Sequence, residues 1–171
     1  MPLWPFRRKP LNFREAFVQG SVALQKGRIR RALKLLKQAV ALKPDHVEAR
    51  VNYGSALYVS GRIEEAEAQF RAALEFDPEN PYAMSNLATI YYRKGNVERA
   101  IELLEEVVRK YPDHPDVNYN LAAAYTALGD FERARAHALR ELELNPGHER
   151  AKILLERLRI EEEGRNEKAP G

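Results

Sequence analysis

Residues 47–80 read VEARVNYGSALYVSGRIEEAEAQFRAALEFDPEN, a stretch that spells out two helices and their punctuation. Arg50, Tyr53, Gly54 and Leu57 fall at the i, i+3, i+4, i+7 spacing of one helical face. Gly61 ends that helix, because a tight turn between helices needs backbone freedom that other residues lack. A second helix follows, with Ile63, Ala66, Phe70, Ala73 and Leu74 on one side and Glu64, Glu65, Glu67 and Arg71 facing solvent. Pro78 stops it.

The same punctuation recurs along the chain. Pro44, Pro78, Pro112 and Pro146 stand 34 residues apart, as do Gly27, Gly61, Gly95 and Gly129, and Ala32, Ala66, Ala100 and Ala134. Three columns in one register specify a repeated helical hairpin. A hairpin of ~34 residues cannot bury its own apolar face, so neighbouring units must stack.

Residues 47–80 resemble a tetratricopeptide repeat (TPR) nearly throughout. The resemblance implies an all-α fold, a right-handed α-solenoid of antiparallel helix hairpins (the TPR superhelix), whose first helices line an inner groove. Four repeats are expected at residues 13–46, 47–80, 81–114 and 115–148. The family's bulky first-helix aromatic is missing, with Ala16, Arg50, Met84 and Asn118 in that column. Repeat four also departs: Ala138 follows Leu36, Phe70 and Leu104, and Glu141 follows Ala39, Ala73 and Val107. This weakening reads as the array nearing its end.

The ends are shaped accordingly. Residues 1–12 form a basic, aromatic tail, and Asn12 with Glu15 makes a capping box for the first helix. Pro81 and Pro115 are expected to open helices, with Asn80 and His114 as N-caps. Residues 149–163 form a capping helix through Ala151, Leu154, Leu155 and Leu158, and residues 164–171 should be disordered.

The 171 residues are 44% apolar and 31% charged, enough for a core and too ordered in pattern for a disordered chain. The absence of Cys excludes disulfides, thiolate metal sites and cysteine nucleophiles. No apolar run approaches the ~20 residues that cross a bilayer, so a cytoplasmic location is expected. Isolated glycines make no phosphate-cradling loop, and Ser21, Ser55, Ser60 and Ser85 lack the strained elbow of an activated serine. An enzyme is not expected, nor a cofactor. His46, His114 and His148 share a column, but hairpins stacked ~10 Å apart keep them from one ion. Capping and turn duty is their expected role, no metal site is expected, and His137 has no evident partner.

A binding protein remains. The expected partner is another protein, held through an extended or helical peptide segment in the groove. Asn52, Asn86 and Asn120 repeat on the inner face of the first helices, accompanied by Ser55 and Thr89, with Tyr58, Tyr82, Tyr92 and Tyr119 near the same surface. A carboxamide both donates and accepts, so it can pair with any peptide backbone. The chaperone carboxylate clamp is disfavoured, since Phe17, Ser21, Tyr82 and Asn86 occupy its columns.

Charge supplies the alternative. Residues 1–50 carry 12 Lys/Arg against 3 Asp/Glu, whereas residues 51–171 carry 16 against 22. Arg30, Arg31, Lys34 and Lys37, with Arg7, Arg8 and Lys9, make a basic patch suited to an acidic protein, weakly to a membrane surface, or to RNA. Nucleic acid is disfavoured for want of interleaved stacking aromatics. Leu3, Trp4 and Phe6 should dock on a repeat, either within one chain or on a second copy to give a homo-oligomer.

Overall fold

The computed structural model describes residues 10–166. The chain divides into two compact units, residues 1–80 and 81–171. Helices and turns account for all the regular structure of the described residues.

The first unit holds α1 (Phe13–Gln25), α2 (Ile29–Leu42), α3 (Val47–Val59) and α4 (Ile63–Phe76). Each hairpin, α1 with α2 and α3 with α4, is closed by a three-residue turn whose glycine has positive φ, +65° at Gly27 and +84° at Gly61. Only glycine takes up that backbone without strain, which explains the 34-residue column. α2 packs on α3, and α1 also touches α3. The Asn12 carboxamide accepts from the Glu15 N–H while the Glu15 carboxylate accepts from the Asn12 N–H, so the capping box is complete.

Close approach of the paired helices follows from small residues set against large ones. A Cβ built on Gly54 would lie 2.7 Å from the Phe70 ring, and one on Gly20 would lie 2.8 Å from Leu36 Cγ. Phe70, Leu36 and Leu57 are almost completely buried as a result. Arg50 is half-buried rather than part of the core: its guanidinium donates to the Pro44 carbonyl and the Gln69 carboxamide.

The second unit holds α5 (Pro81–Arg93), α6 (Val97–Lys110), α7 (Val117–Leu128), α8 (Phe131–Leu144) and α9 (Glu149–Asn166). Its hairpins are α5 with α6 and α7 with α8, and α9 covers α8 and touches α7 through the buried Ala151, Leu154 and Leu158. Tyr125, Ile90, Leu104 and Leu121 are its largest buried apolar groups.

Two features differ from expectation. α7 begins at Val117 rather than Pro115, because Asp116 adopts a left-handed backbone with φ +59°; His114 is therefore not its N-cap. α9 continues to Asn166, beyond the expected end at residue 163. Ala138 and Glu141, which set repeat four apart from its neighbours, are buried, at 0% and 3% exposure. Leu3, Trp4, Phe6, Arg7, Arg8 and Lys9, together with residues 167–171, lie outside the described residues.

Candidate functional site

Within the second unit, α5, α7 and the turn before α7 enclose a cleft of about 150 Å³. Tyr82 and Asn86 on α5 and Asn120 on α7 line it. Ser85, His114 and Asp116 line it as well. The Ser85 hydroxyl is buried with no hydrogen-bond partner. Asn86 and Asn120 are half-buried, and among the described residues their carboxamides have no hydrogen-bond partner. Three polar side chains without partners therefore converge on one small space.

The other residues expected at a groove are placed differently. In the first unit, Asn52 donates to the Ser21 hydroxyl at 3.0 Å and so braces α3 against α1. Ser55 and Tyr58 are half-buried in the same unit. Thr89 spends its hydroxyl on the Ser85 carbonyl one turn back, at 3.0 Å. Tyr92 is exposed at the end of α5, and Tyr119 stacks on the His148 ring, 4.9 Å away, and has the Arg150 guanidinium over it at 4.5 Å from its centroid.

The histidine column divides into two roles. His46 and His148 cap α3 and α9 through Nδ1, which accepts from the N–H of Ala49 and of Ala151. His114 instead turns its ring edge-on to Tyr82 at 4.6 Å in the cleft. His137 also has partners: it meets the Asn118 carboxamide at 3.0 Å and stacks on Tyr125. Tyr125 in turn donates to Glu105 and lies under the Arg133 guanidinium.

Burial pushes the His114 and His137 imidazoles below the ordinary histidine range, with Asp116 opposing the shift at His114 and Glu105 at His137. A histidine held neutral in the fold binds fewer protons than its unfolded counterpart, so stability rises with pH across its titration. The contribution is complete above the unfolded pKa of ~6.5 and disappears as pH falls through the lower folded value. The melting midpoint should thus drop between pH 7.5 and pH 5. His114→Asn, which installs the residue found at Asn12 and Asn80 in the same column, should make that drop smaller. An identical pH profile for the variant would show that His114 is not a contributor.

Asp116, Glu141 and His148 bring three potential metal-ligand atoms within 4.8 Å of one another. The hydrogen bonds argue for a different use. With Nδ1 of His148 accepting from Ala151, the neutral ring carries its proton on Nε2 and donates it to Asp116 Oδ1 at 3.0 Å. A cation on Nε2 would need that lone pair and would cost the α9 cap. Glu141 meanwhile accepts from the Tyr119 N–H at 3.2 Å, so the cluster ties α7, α8 and α9 together.

On the first unit, Arg30, Arg31, Lys34 and Lys37 are exposed on α2. A cleft of about 220 Å³ in the same unit is lined by Val18, Val22 and Ala23 together with Lys26, Arg28 and Arg31. No helix among the described residues is long and apolar enough to cross a membrane.

Sequence reasoning did not place Ser85, His114 or Asp116 at this cleft, and it took Glu141 only as a sign of the array's end. The one available signal was column disagreement: Ser85 stands where Phe17, Val51 and Tyr119 stand, and Glu141 stands where Ala39, Ala73 and Val107 stand.

Comparison with known proteins yields one family model, described as Tetratricopeptide repeat, which matches residues 17–81 and 85–149. No curated protein is similar enough in sequence to be matched. Among solved structures, one titled for the functional characterisation of pilF of Pseudomonas aeruginosa aligns with TM-score 0.78 and 21% identity, covering 89% of this chain and 69% of that one. MamA from Desulfovibrio magneticus RS-1 aligns with TM-score 0.74 and 20% identity, over 88% and 85% of the two chains. TTC0263, a thermophilic TPR protein in Thermus thermophilus, aligns with TM-score 0.74 and 20% identity, over 89% and 84%.

Proposed function

The chain belongs to the tetratricopeptide-repeat family, and from that premise we propose that it is a protein-interaction scaffold taking up a peptide segment of a partner at the face that carries Tyr82, Asn86 and Asn120. The observation that supports this is the pair of carboxamides on α5 and α7, one repeat apart and unpaired among the described residues. Each can offer a donor and an acceptor to a peptide backbone whatever the peptide's sequence. Tyr82, 55% exposed, adds flat contact area with little rotamer entropy to lose. The activity is binding rather than catalysis and calls for no cofactor.

Asn52 belongs to the same column but has a partner, so it is assigned a bracing role. The two roles are separable by experiment. The folded Asn86→Ala/Asn120→Ala variant should keep its helicity and melting midpoint while losing about tenfold or more in affinity for partners captured by the parent chain. Asn52→Ala should instead lower the midpoint, because it breaks the bond to Ser21. Full retention of every partner by the folded double variant would move binding to another face.

The basic face of α2 favours a second reading, a docking surface for an acidic protein or other anionic surface. Glu substitutions at Arg30, Arg31 and Lys34 that left partner capture and binding to anionic vesicles unchanged would remove it.

A further inference from the structure

We propose that the cleft between α5, α7 and the turn before α7 binds the cationic head of a lysine or arginine side chain presented by the partner peptide. This rests on the reading of that face as a peptide-binding one and adds its chemical selectivity.

The lining sets the requirement. Ser85 Oγ is buried without a partner, and the Asn86 and Asn120 carboxamides are unsatisfied among the described residues. An apolar side chain would seal the two half-buried carboxamides away from water at a cost in each, and would leave Ser85 Oγ without a partner. An anion would find no Lys or Arg among the lining residues and would face the Asp116 carboxylate. Glu141 adds a second carboxylate, with an oxygen within 4.8 Å of the Asp116 oxygen. Burial keeps His114 neutral near pH 7, so it does not cancel this charge. The nearby Arg150 guanidinium is already placed over the Tyr119 ring.

An ammonium or guanidinium satisfies these groups together. It donates to the hydroxyl oxygen of Ser85 and to the carbonyl oxygens of Asn86 and Asn120, and it meets the carboxylate of Asp116. Only one oxygen of that carboxylate is held by His148. The Tyr82 ring, half exposed at the mouth, offers a π face of the kind that cations favour. A volume of about 150 Å³ suits one such head group, with water filling the remainder. A neutral carboxamide is the nearest competitor, since it matches the hydrogen bonds but not the charge.

The experiment uses the full chain and four blocked peptides, acetyl-Ala-Ala-Xaa-Ala-Ala-amide with Xaa as Lys, Arg, Gln or Glu, titrated by NMR. The Lys and Arg peptides should shift the side-chain amide signals of Asn86 and Asn120 and the His114 ring signals. They should bind about fivefold or more tightly than the Gln peptide, and the Glu peptide should bind least. Asp116→Asn keeps a residue type that tolerates positive φ and should abolish the preference for Lys over Gln. Ser85→Ala removes the stranded hydroxyl and should weaken the Lys peptide several-fold without lowering the melting midpoint. Equal binding of the Lys and Gln peptides, a Lys preference that survives Asp116→Asn, or Lys-induced shifts lying only on other surfaces would each overturn the proposal. If all four peptides shift Asn86 and Asn120 alike, the peptide-binding face stands and its selectivity falls. If none shifts them, both fall.

Discussion

Phe70→Ala is expected to lower the unfolding free energy by about 3 to 5 kcal/mol, the range for deleting a buried aromatic from a core that cannot collapse around the space. Phe70 is 1% exposed, and its ring lies against the bare backbone of Gly54, so the two positions should be coupled. By helix propensity alone, Gly54→Ala would stabilise α3 by up to ~1 kcal/mol. Here the added methyl would sit 2.7 Å from the ring, and the overpacking, typically about 1 to 3 kcal/mol, reverses the sign. In the Phe70→Ala background the obstruction is gone, and the methyl fills part of the cavity instead. Urea unfolding of the two single variants and the double variant should therefore show the double to be more stable than the sum of the singles by at least ~1 kcal/mol. Additive losses, or a Gly54→Ala that is neutral by itself, would show that the ring and the glycine do not depend on each other.

That pair also shows why the fold was legible before any coordinates. The column of Gly20, Gly54, Ala88 and Ala122 holds only small residues, and in the first unit Gly20 and Gly54 lie against Leu36 and Phe70, which are themselves 34 residues apart. Periodicity reports such packing directly, because every repeat solves the same problem with residues at the same offsets. The cleft was only half legible. Tyr82, Asn86 and Asn120 could be placed because they repeat, but Ser85, His114 and Asp116 act through what repeat three and the start of α7 do alone. Two prolines one repeat apart, Pro81 and Pro115, are indistinguishable as sequence. Yet Pro81 opens α5, whereas Asp116 after Pro115 turns left-handed and reaches His148, delaying α7 by two residues. Asn52, Asn86 and Asn120 likewise share a column but not a role: Asn52 donates to Ser21, whereas Thr89, which stands for Asn120 where Ser21 stands for Asn52, spends its hydroxyl on the Ser85 carbonyl. A repeat pattern gives position; the partner of a polar side chain is set by whatever the neighbouring element places opposite it.

Glu141→Ala is expected to cost about 2 to 3 kcal/mol, despite restoring the residue found at Ala39 and Ala73 in the same column. The late start of α7 creates the need. Asp116 is the N-cap residue but its side chain caps nothing, so the N–H of Tyr119 in the first turn would be an orphan donor. The Glu141 carboxylate, reaching over from α8, accepts that hydrogen at 3.2 Å and lies 3.9 Å from His148 Nε2. It is a cap supplied by another helix, invisible to any local capping pattern. Three substitutions separate capping from simple filling of space. Glu141→Gln keeps an acceptor and should lose less than half as much stability as Glu141→Ala. Glu141→Val copies Val107 and packs well, but leaves the Tyr119 N–H without a partner, so it should also be destabilised. Amide exchange at Tyr119 should accelerate in the Ala and Val variants and change little in the Gln variant. A Glu141→Val protein as stable as the parent, with its Tyr119 amide still protected, would mean that the column is governed by packing alone and that the carboxylate is dispensable.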